Sequence, residues 1–410
     1  MIRYDVHATL PDARVLKAGE IVFRDPRPNG DYRSAFRYDP AWIDNPDAFP
    51  LDPEWLPLET EEIQADRLEP PMGVFRDALP DAWGRRLMIR KAGLKGTGQL
   101  DPTLLGLLAN HGLGALSFMP SGSDPRPMED PSARTIEIED LLQAAEDLAR
   151  GRETTPSIET LFRAGGSPGG VRPKALVRDT DGRRWLAKFP AGGDPFDIVG
   201  LEAATLRSAA LAGLDVPESR LVHVDGKRKA LLVERFDVTG VDGRNHMLSA
   251  ASLLGEGAGR YVQGYEEVFE ALARHASAPD EDLATLFRHT AFNAAIGNTD
   301  DHLRNLVVMR TGSGWGLSPS FDLLPDIAEK REHVLSVDGH HHIANAGALM
   351  TIAERFRVPR ANGIIEDVLE AVERFPGLAM ESGVPDEQAG RFRRDMQRRI
   401  EGMRPAGPRL

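Results

Sequence analysis

Asp300 and Asn305 stand five positions apart in Gly297-Asn298-Thr299-Asp300-Asp301-His302-Leu303-Arg304-Asn305-Leu306, and another acid, Asp322, closes Ser318-Pro319-Ser320-Phe321-Asp322. Phosphoryl transfer calls for such a set. One carboxylate contacts the attacking hydroxyl, while an amide and a second carboxylate take magnesium against the phosphates. Magnesium favours oxygen donors and keeps waters and phosphate oxygens in its remaining positions. Asp, Asn and Gly are also turn residues, so the Asp300 segment alone reads as well as a surface turn. A second acid after the next strand tips the reading toward a site.

Several elements must position these groups. A helix pattern from Asp282 to Ile296 delivers the chain into Gly297, and catalytic groups commonly sit on loops held by rigid elements. A hairpin from Leu306 to Asp322 turns at Thr311-Gly312-Ser313-Gly314. Upstream, Lys188 lies in the strand Trp185-Leu186-Ala187-Lys188-Phe189-Pro190. A lysine with apolar neighbours buries its stem, and its ammonium then needs an anion. Glu202, on the helix Val199 to Ala212, is the candidate; the alternative is a lysine facing solvent.

The loop Gly165 to Lys174 carries four glycines within six residues. Glycine lets backbone N–H groups come close to phosphate oxygens, and Arg172 and Lys174 add positive charge. The loop is neither a Walker P-loop nor a G-x-G-x-x-G match, so its weight comes from its place before the Lys188 hairpin. Leu231 to Asp237 ends a strand where sheet gives way to helix, a place from which backbone groups could meet adenine. His340-His341-His342 reads as a polar loop, because consecutive residues rarely face one ion.

The remainder supplies the frame. Residues 1 to about 60 read as short strands, including Val15 to Phe23 and Ser34 to Tyr38, and residues 70 to 110 as helices. Ser121 to Pro131 is the linker candidate. A helix over Ile136 to Leu148 is followed by the Lys174 to Lys188 hairpin, the Val199 helix, and strands Ser219 to Val224 and Lys229 to Arg235. That order predicts a small antiparallel sheet with one helix. Beyond about residue 240 helices dominate, at Tyr265 to His275, Asp282 to Ile296, Ile364 to Phe375 and Glu387 to Met403.

With 410 residues and 41% hydrophobic content, the chain can build two or three cored domains. A net charge of −13 argues against nonspecific nucleic-acid binding. The absence of cysteine rules out disulfides, thiolate zinc sites and a Cys nucleophile. The N-terminus lacks a signal-peptide core and no stretch reads as membrane-spanning, so a soluble cytoplasmic protein is expected.

In order and spacing these motifs resemble the HipA family of bacterial serine/threonine kinase toxins, nearly end to end. The most specific parts are Ser167 to Lys174 leading to Lys188, Val233-Glu234-Arg235-Phe236-Asp237, Ile296 to Asn305, and Phe321-Asp322. Leu79-Pro80-Asp81 and Leu107 to Pro120 look like the family's N-terminal region. The resemblance implies an α+β, two-lobed protein-kinase-like fold with an additional N-terminal β-rich subdomain and a mainly helical C-terminal lobe. The subdomain would cover residues 1–130, the kinase N-lobe 131–238 and the C-lobe 239–410.

It further implies ATP and Mg2+, with Asp300 as catalytic base and Asn305 and Asp322 as magnesium ligands. Lys188, in a structural ion pair with Glu202, would hold phosphates beside a loop of Gly169, Gly170, Val171, Arg172 and Lys174. Glu234, Arg235 and Phe236 would line the adenine, and His302 and Arg304 would also face ATP. Ser167 matches the family's autophosphorylated serine, whose modification is associated with switching the kinase off. Departures are Asp301, where some members carry Gly, and Pro168 and Pro173, which stiffen the loop. The implied activity is phosphorylation of Ser or Thr on a host protein, with aminoacyl-tRNA synthetases the class associated with the family. The implied partner is a helix-turn-helix antitoxin, through which alone DNA would be reached. Two rivals remain: a small-molecule phosphotransferase, and a non-catalytic ATP-binding partner of a DNA-binding regulator.

Overall fold

A computed structural model describes residues 1–124, 133–134, 137–150, 152, 172–224, 228–257, 261–262, 264–312, 314–328 and 330–404. The chain forms two compact units. The first is Met1–Gly192, Leu232–Tyr261 and Val308–Ser313; the second is Gly193–Leu231, Val262–Val307 and Gly314–Leu410. Each unit is therefore assembled from separated stretches, whereas division near residues 130 and 238 would give consecutive pieces.

The first unit opens with an antiparallel sheet of β1 (Ile2–Thr9), β2 (Val15–Phe23), β3 (Arg33–Tyr38), β4 (Ile63–Asp66) and β5 (Leu116–Pro120), in the order β4-β3-β2-β1-β5. Apolar residues alternate along β1, so Tyr4, Val6 and Ala8 share one face. Phe36 and Phe118 meet Phe75 from the helix Met72–Asp77, with ring centroids 5.1 and 6.3 Å away. Asp5, on the other face of β1, is buried but accepts from Gly122 N–H at 2.8 Å and pairs with Lys17 at 2.8 Å. Helices Ala82–Lys91 and Asp101–Leu108 complete this part, and Asp101 is held by Arg76, Arg85 and the Tyr32 hydroxyl.

The second sheet departs from the expected all-antiparallel form. β6 (Ala133–Arg134) lies parallel to β7 (Lys174–Arg178), which pairs antiparallel with β8 (Arg184–Lys188) in a register that sets Lys174 opposite Lys188. A parallel pair needs a long crossover, and the chain after β6 is long enough and includes the helix Ile138–Ala149. The Asp179 carboxylate closes the β7–β8 turn by accepting from Asp181 N–H, Arg183 N–H and Trp185 Nε1–H. Beside β8 runs Lys229–Glu234, and Arg235 N–H donates to Arg184 O at 2.9 Å.

The second unit is mainly helical. Its central helix, Pro279–Ile296, starts earlier than its apolar spacing suggests. Pro occupies the first turn, and Asp280, Glu281 and Asp282 complement the helix dipole. From His289 to Ile296 every residue is buried, because Tyr265–His275, Ala361–Glu373 and Asp386–Met403 pack around it. Ala346–Arg355, a helix not expected from the sequence, is capped by Asn345, whose Oδ1 accepts from Ala348 N–H at 3.0 Å. Among the described residues no helix is long and apolar enough to cross a membrane.

Asp52, in the first unit, is 1% exposed; its carboxyl is pushed up to about 7 by burial, against the Glu54 and Trp55 N–H groups that favour the anion. A folded-state value above the unfolded one means that the folded chain holds the proton longer. Stability is then lost as pH rises from about 4 to about 7 and levels off above. Asp52→Asn keeps an acceptor for the backbone N–H groups without the charge. It is expected to melt above the parent at pH 8 and near it at pH 4.5 in thermal unfolding; a gap independent of pH would refute this.

Candidate active site

In the second unit the helix Pro279–Ile296 stops at Gly297, whose φ of 79° is left-handed. A side chain there would be strained, and its Cβ would meet Arg399 Nε at 2.9 Å. The loop beyond is pinned at successive carbonyls. Gly297 O accepts from Asp326 N–H at 2.9 Å, Asn298 O meets His333 Nδ1 at 3.0 Å, and Thr299 O accepts from Val334 N–H at 3.0 Å. Thr299 Oγ1 also donates to Asp326 at 2.8 Å. Burial and the charge of Arg399 push the His333 ring down to about 4, so it stays neutral and donates to Asn298 O.

Asp300 emerges from this anchored stretch exposed. Asn305 is half-buried, and its N–H closes a turn onto His302 O at 2.8 Å. His302 is half-buried, and its Nδ1 is buried without a hydrogen-bond partner among the described residues; Arg304 is exposed. Asn305 lines a recess of about 10 Å³ together with His289, Ser318 and Ser320. The structure thereby brings Asn305 to the run that leads into Asp322. Asp322 is half-buried and takes a φ of 56°, uncommon for a residue other than glycine, although Asp enters this region more readily than most.

Asp301, which the sequence offers only as a flank of Asp300, is 1% exposed and sits in a polar cluster. Its Oδ2 accepts from the Tyr265 hydroxyl and from Asn293 Nδ2 at 2.6 Å, with His289 Nε2 at 3.2 Å. Burial pushes this carboxyl up, but His289, Tyr265 and Asn293 outweigh it and hold its pKa below the ordinary value. A signal for the cluster existed. His289 and Asn293 lie four apart, on one face of a helix whose other inward residues are apolar or small.

The first unit holds most of the remaining expected residues that are described. Lys188 is half-buried at the end of β8. Glu202, buried on the helix Ile198–Leu211, belongs to the second unit. Arg172 is half-buried. Lys174 is 3% exposed, with its ammonium 3.3 Å from Asp81, the residue that caps the helix Ala82–Lys91. Glu234 is gripped at both carboxylate oxygens by Arg183, at 3.0 and 2.7 Å.

Arg235 is buried and donates to Asp237 at 3.0 and 2.6 Å, and Asp237 also accepts from Gly114 N–H. Burial raises the Asp237 carboxyl, but Arg235, Arg244 and that N–H together draw its pKa below the usual value. Phe236 is half-buried between them in sequence. Ser167, Gly169, Gly170 and Val171 lie outside the described residues. In the histidine run, His341 pairs with Asp338 at 2.8 Å and His342 Nδ1 meets His333 O.

Comparison with known proteins matches residues 166–375 to the HipA-like C-terminal domain and residues 16–119 to the HipA N-terminal domain. "Putative kinase Y4mE" of Sinorhizobium fredii is 25% identical over 381 residues, covering 83% of this chain and 86% of that protein. "Serine/threonine-protein kinase toxin HipA" of Shewanella oneidensis is 27% identical over 259 residues, 55% of this chain and 56% of that one. A chain from the solved "Shewanella oneidensis MR-1 Toxin Antitoxin System HipA, HipB and its operator DNA complex" is similar in fold. Its TM-score is 0.68 at 21% identity, over 98% of this chain and 97% of that chain. The α+β fold is thus kinase-like in the HipA manner. Since the C-terminal match alone spans more than half of the sequence, the chain belongs to the HipA family.

Proposed function

We propose that this chain is an ATP-dependent serine/threonine protein kinase and the toxin of a bacterial toxin–antitoxin pair. The observation that carries the reading is the loop of the second unit. It presents an exposed Asp300 from backbone pinned at three successive carbonyls, with Asn305 and a left-handed Asp322 on the same scaffold. Asp300 would accept the proton of the attacking hydroxyl. Asn305 and Asp322 supply oxygen donors only, the kind magnesium takes, so this pair fits the ion. When bound, magnesium supplies neutralisation of phosphate charge.

Lys188 and Arg172, in the first unit, are the cations assigned to the phosphates. Lys174 is better read as the anchor of β7 through Asp81, because its ammonium is buried against that carboxylate. Glu234 and Phe236 would offer backbone groups to adenine, and the Glu234 and Arg235 side chains are already engaged by Arg183 and Asp237. His302 and Arg304 would complete the ATP side of the loop. Ser167 is the proposed site of autophosphorylation. The acceptor would be a Ser or Thr on a host protein, with aminoacyl-tRNA synthetases the class associated with the family. The partner would be a helix-turn-helix antitoxin, as the family resemblance implies, with DNA reached through it; the solved relative comes from a complex of HipA, HipB and operator DNA. The net charge of −13 supports that indirect route.

Incubation with γ-labelled ATP and magnesium, with and without host lysate, tests the assignment. Label is expected on a lysate protein. Asp300→Ala and Asp322→Ala should each reduce it by about two powers of ten, about 3 kcal/mol of barrier. Unchanged labelling in either variant would sink the assignment, and label confined to small molecules would replace it with a small-molecule phosphotransferase. Ser167→Ala should abolish label on the chain itself while lysate labelling persists; self-labelling that survives would move the modification elsewhere.

A further inference from the structure

We propose that His289 is a positioning residue: its imidazole ties the loop carrying Asp300 to the segment carrying Asp322. The inference rests on the kinase reading and adds to it a buried residue outside the set assigned to nucleotide and metal.

His289 is 4% exposed on the helix Pro279–Ile296, one turn before Asn293. Its Nδ1 lies 3.0 Å from Ser320 Oγ, and its Nε2 lies 2.8 Å from Asn293 Nδ2 and 3.2 Å from Asp301 Oδ2. The neighbours orient the Asn293 amide that faces the ring. Asn298 Nδ2 donates to Asn293 Oδ1 at 3.1 Å, and Asn293 Nδ2 donates to Asp301 at 2.6 Å, so a flipped amide would set oxygen against carboxylate. Asn293 Nδ2 therefore donates to Asp301, lies 2.8 Å from His289 Nε2 and is 3.4 Å from the Tyr265 hydroxyl. In either tautomer the imidazole meets Ser320 Oγ at Nδ1 and the Asn293–Asp301 pair at Nε2, because a hydroxyl can both donate and accept.

The chain of bonds therefore runs from Asp301, next to Asp300, through Asn293 and His289 to Ser320, two residues before Asp322. Ser320 is fixed from its other side, where its N–H donates to Asp215 O at 2.8 Å. His289 and Asn305 also line the same recess. Stability alone gives no reason for this cluster. Asp301 Oδ1 is buried with no partner among the described residues, and apolar side chains would fill the space without that cost. What the cluster does supply is direction, since hydrogen bonds fix the ring and the two segments at set distances.

The full chain carrying His289→Leu, which keeps the packing and removes both bonds, is the test. Phosphotransfer, magnesium dependence, thermal midpoint and metal-free amide exchange are measured beside the parent and Asp300→Ala. The thermal midpoint should stay near the parent's, kcat should fall roughly tenfold or more, and half-saturating magnesium should rise several-fold. Amide exchange should quicken at residues 297–305 and 318–322 before it does elsewhere. His289→Asn, whose amide can still hydrogen-bond toward Ser320, should restore part of kcat. If His289→Leu does not fold, Ser320→Ala removes the same tether and should raise the magnesium requirement alike.

An active parent with unchanged kcat and magnesium dependence in the deciding variant overturns the positioning role. So does lost activity that merely follows a lowered midpoint and that His289→Asn does not restore. A parent that transfers no label at all overturns the kinase reading, and the positioning role with it.

Discussion

Buried carbonyls at the end of a helix must find donors away from water, and that requirement shapes the second unit around its loop. The helix Pro279–Ile296 is enclosed at its C-terminal end, so the peptide groups after it cannot turn to solvent. Donors come instead from Asp326, His333 and Val334, on chain that has passed through the hairpin and returned. The returning segment has little regular structure, yet Leu323, Pro325, Leu335 and Val337 are buried along it. Apolar burial draws it inward, and the three bonds set where it stops. Asp300 is exposed because its predecessors are not.

Ion pairs do similar work in the first unit. Asp101 gathers two arginines and a tyrosine, Lys174 meets Asp81, and Arg235 meets Asp237, all largely shielded from solvent. Such pairs give little net stability relative to apolar packing, but removing one partner strands a buried charge at a cost of about 3–5 kcal/mol. Their contribution is placement. Asp237 takes the N–H of Gly114, a glycine at φ 64°, and so fastens the end of the Lys229–Glu234 strand to the turn before β5. Apolar contact is indifferent to direction and could not fix two irregular stretches to each other in that way.

Local pattern made much of this legible. Helix faces with apolar spacing of three and four, the Lys174 to Lys188 hairpin and the break at Gly297 depend on neighbours close in sequence, and each appears within a few residues of its expected place. Features joined across the chain did not show. Lys174 read as added positive charge on a glycine-rich loop, and the Asp81 carboxylate beside its ammonium lies 93 positions away. β6 is two residues long and pairs with a strand beyond residue 170, so no window of sequence announces it. Ala346–Arg355 has few large apolar residues, and its burial depends on what surrounds it. In the candidate site, the types and spacing of Asp300, Asn305 and Asp322 were plain. The inward direction of Asp301 was not, because a run of acids next to Asn and Gly looks the same on a surface turn.

The backbone of Asp322 gives a separate reason to regard that position as chemical rather than structural. A left-handed φ of 56° costs a non-glycine residue on the order of 1 kcal/mol, and glycine would remove the cost. If the segment only had to turn, glycine would serve it better. Asparagine would enter the same region with comparable ease but would bring one carbonyl oxygen and no charge. Aspartate accepts the strain and adds a carboxylate, the group that a divalent cation beside phosphate requires. The strain is tolerable because the approach is fixed: Ser320 is held by Asp215 on one side and meets His289 on the other, so the chain reaches Asp322 with its direction already set.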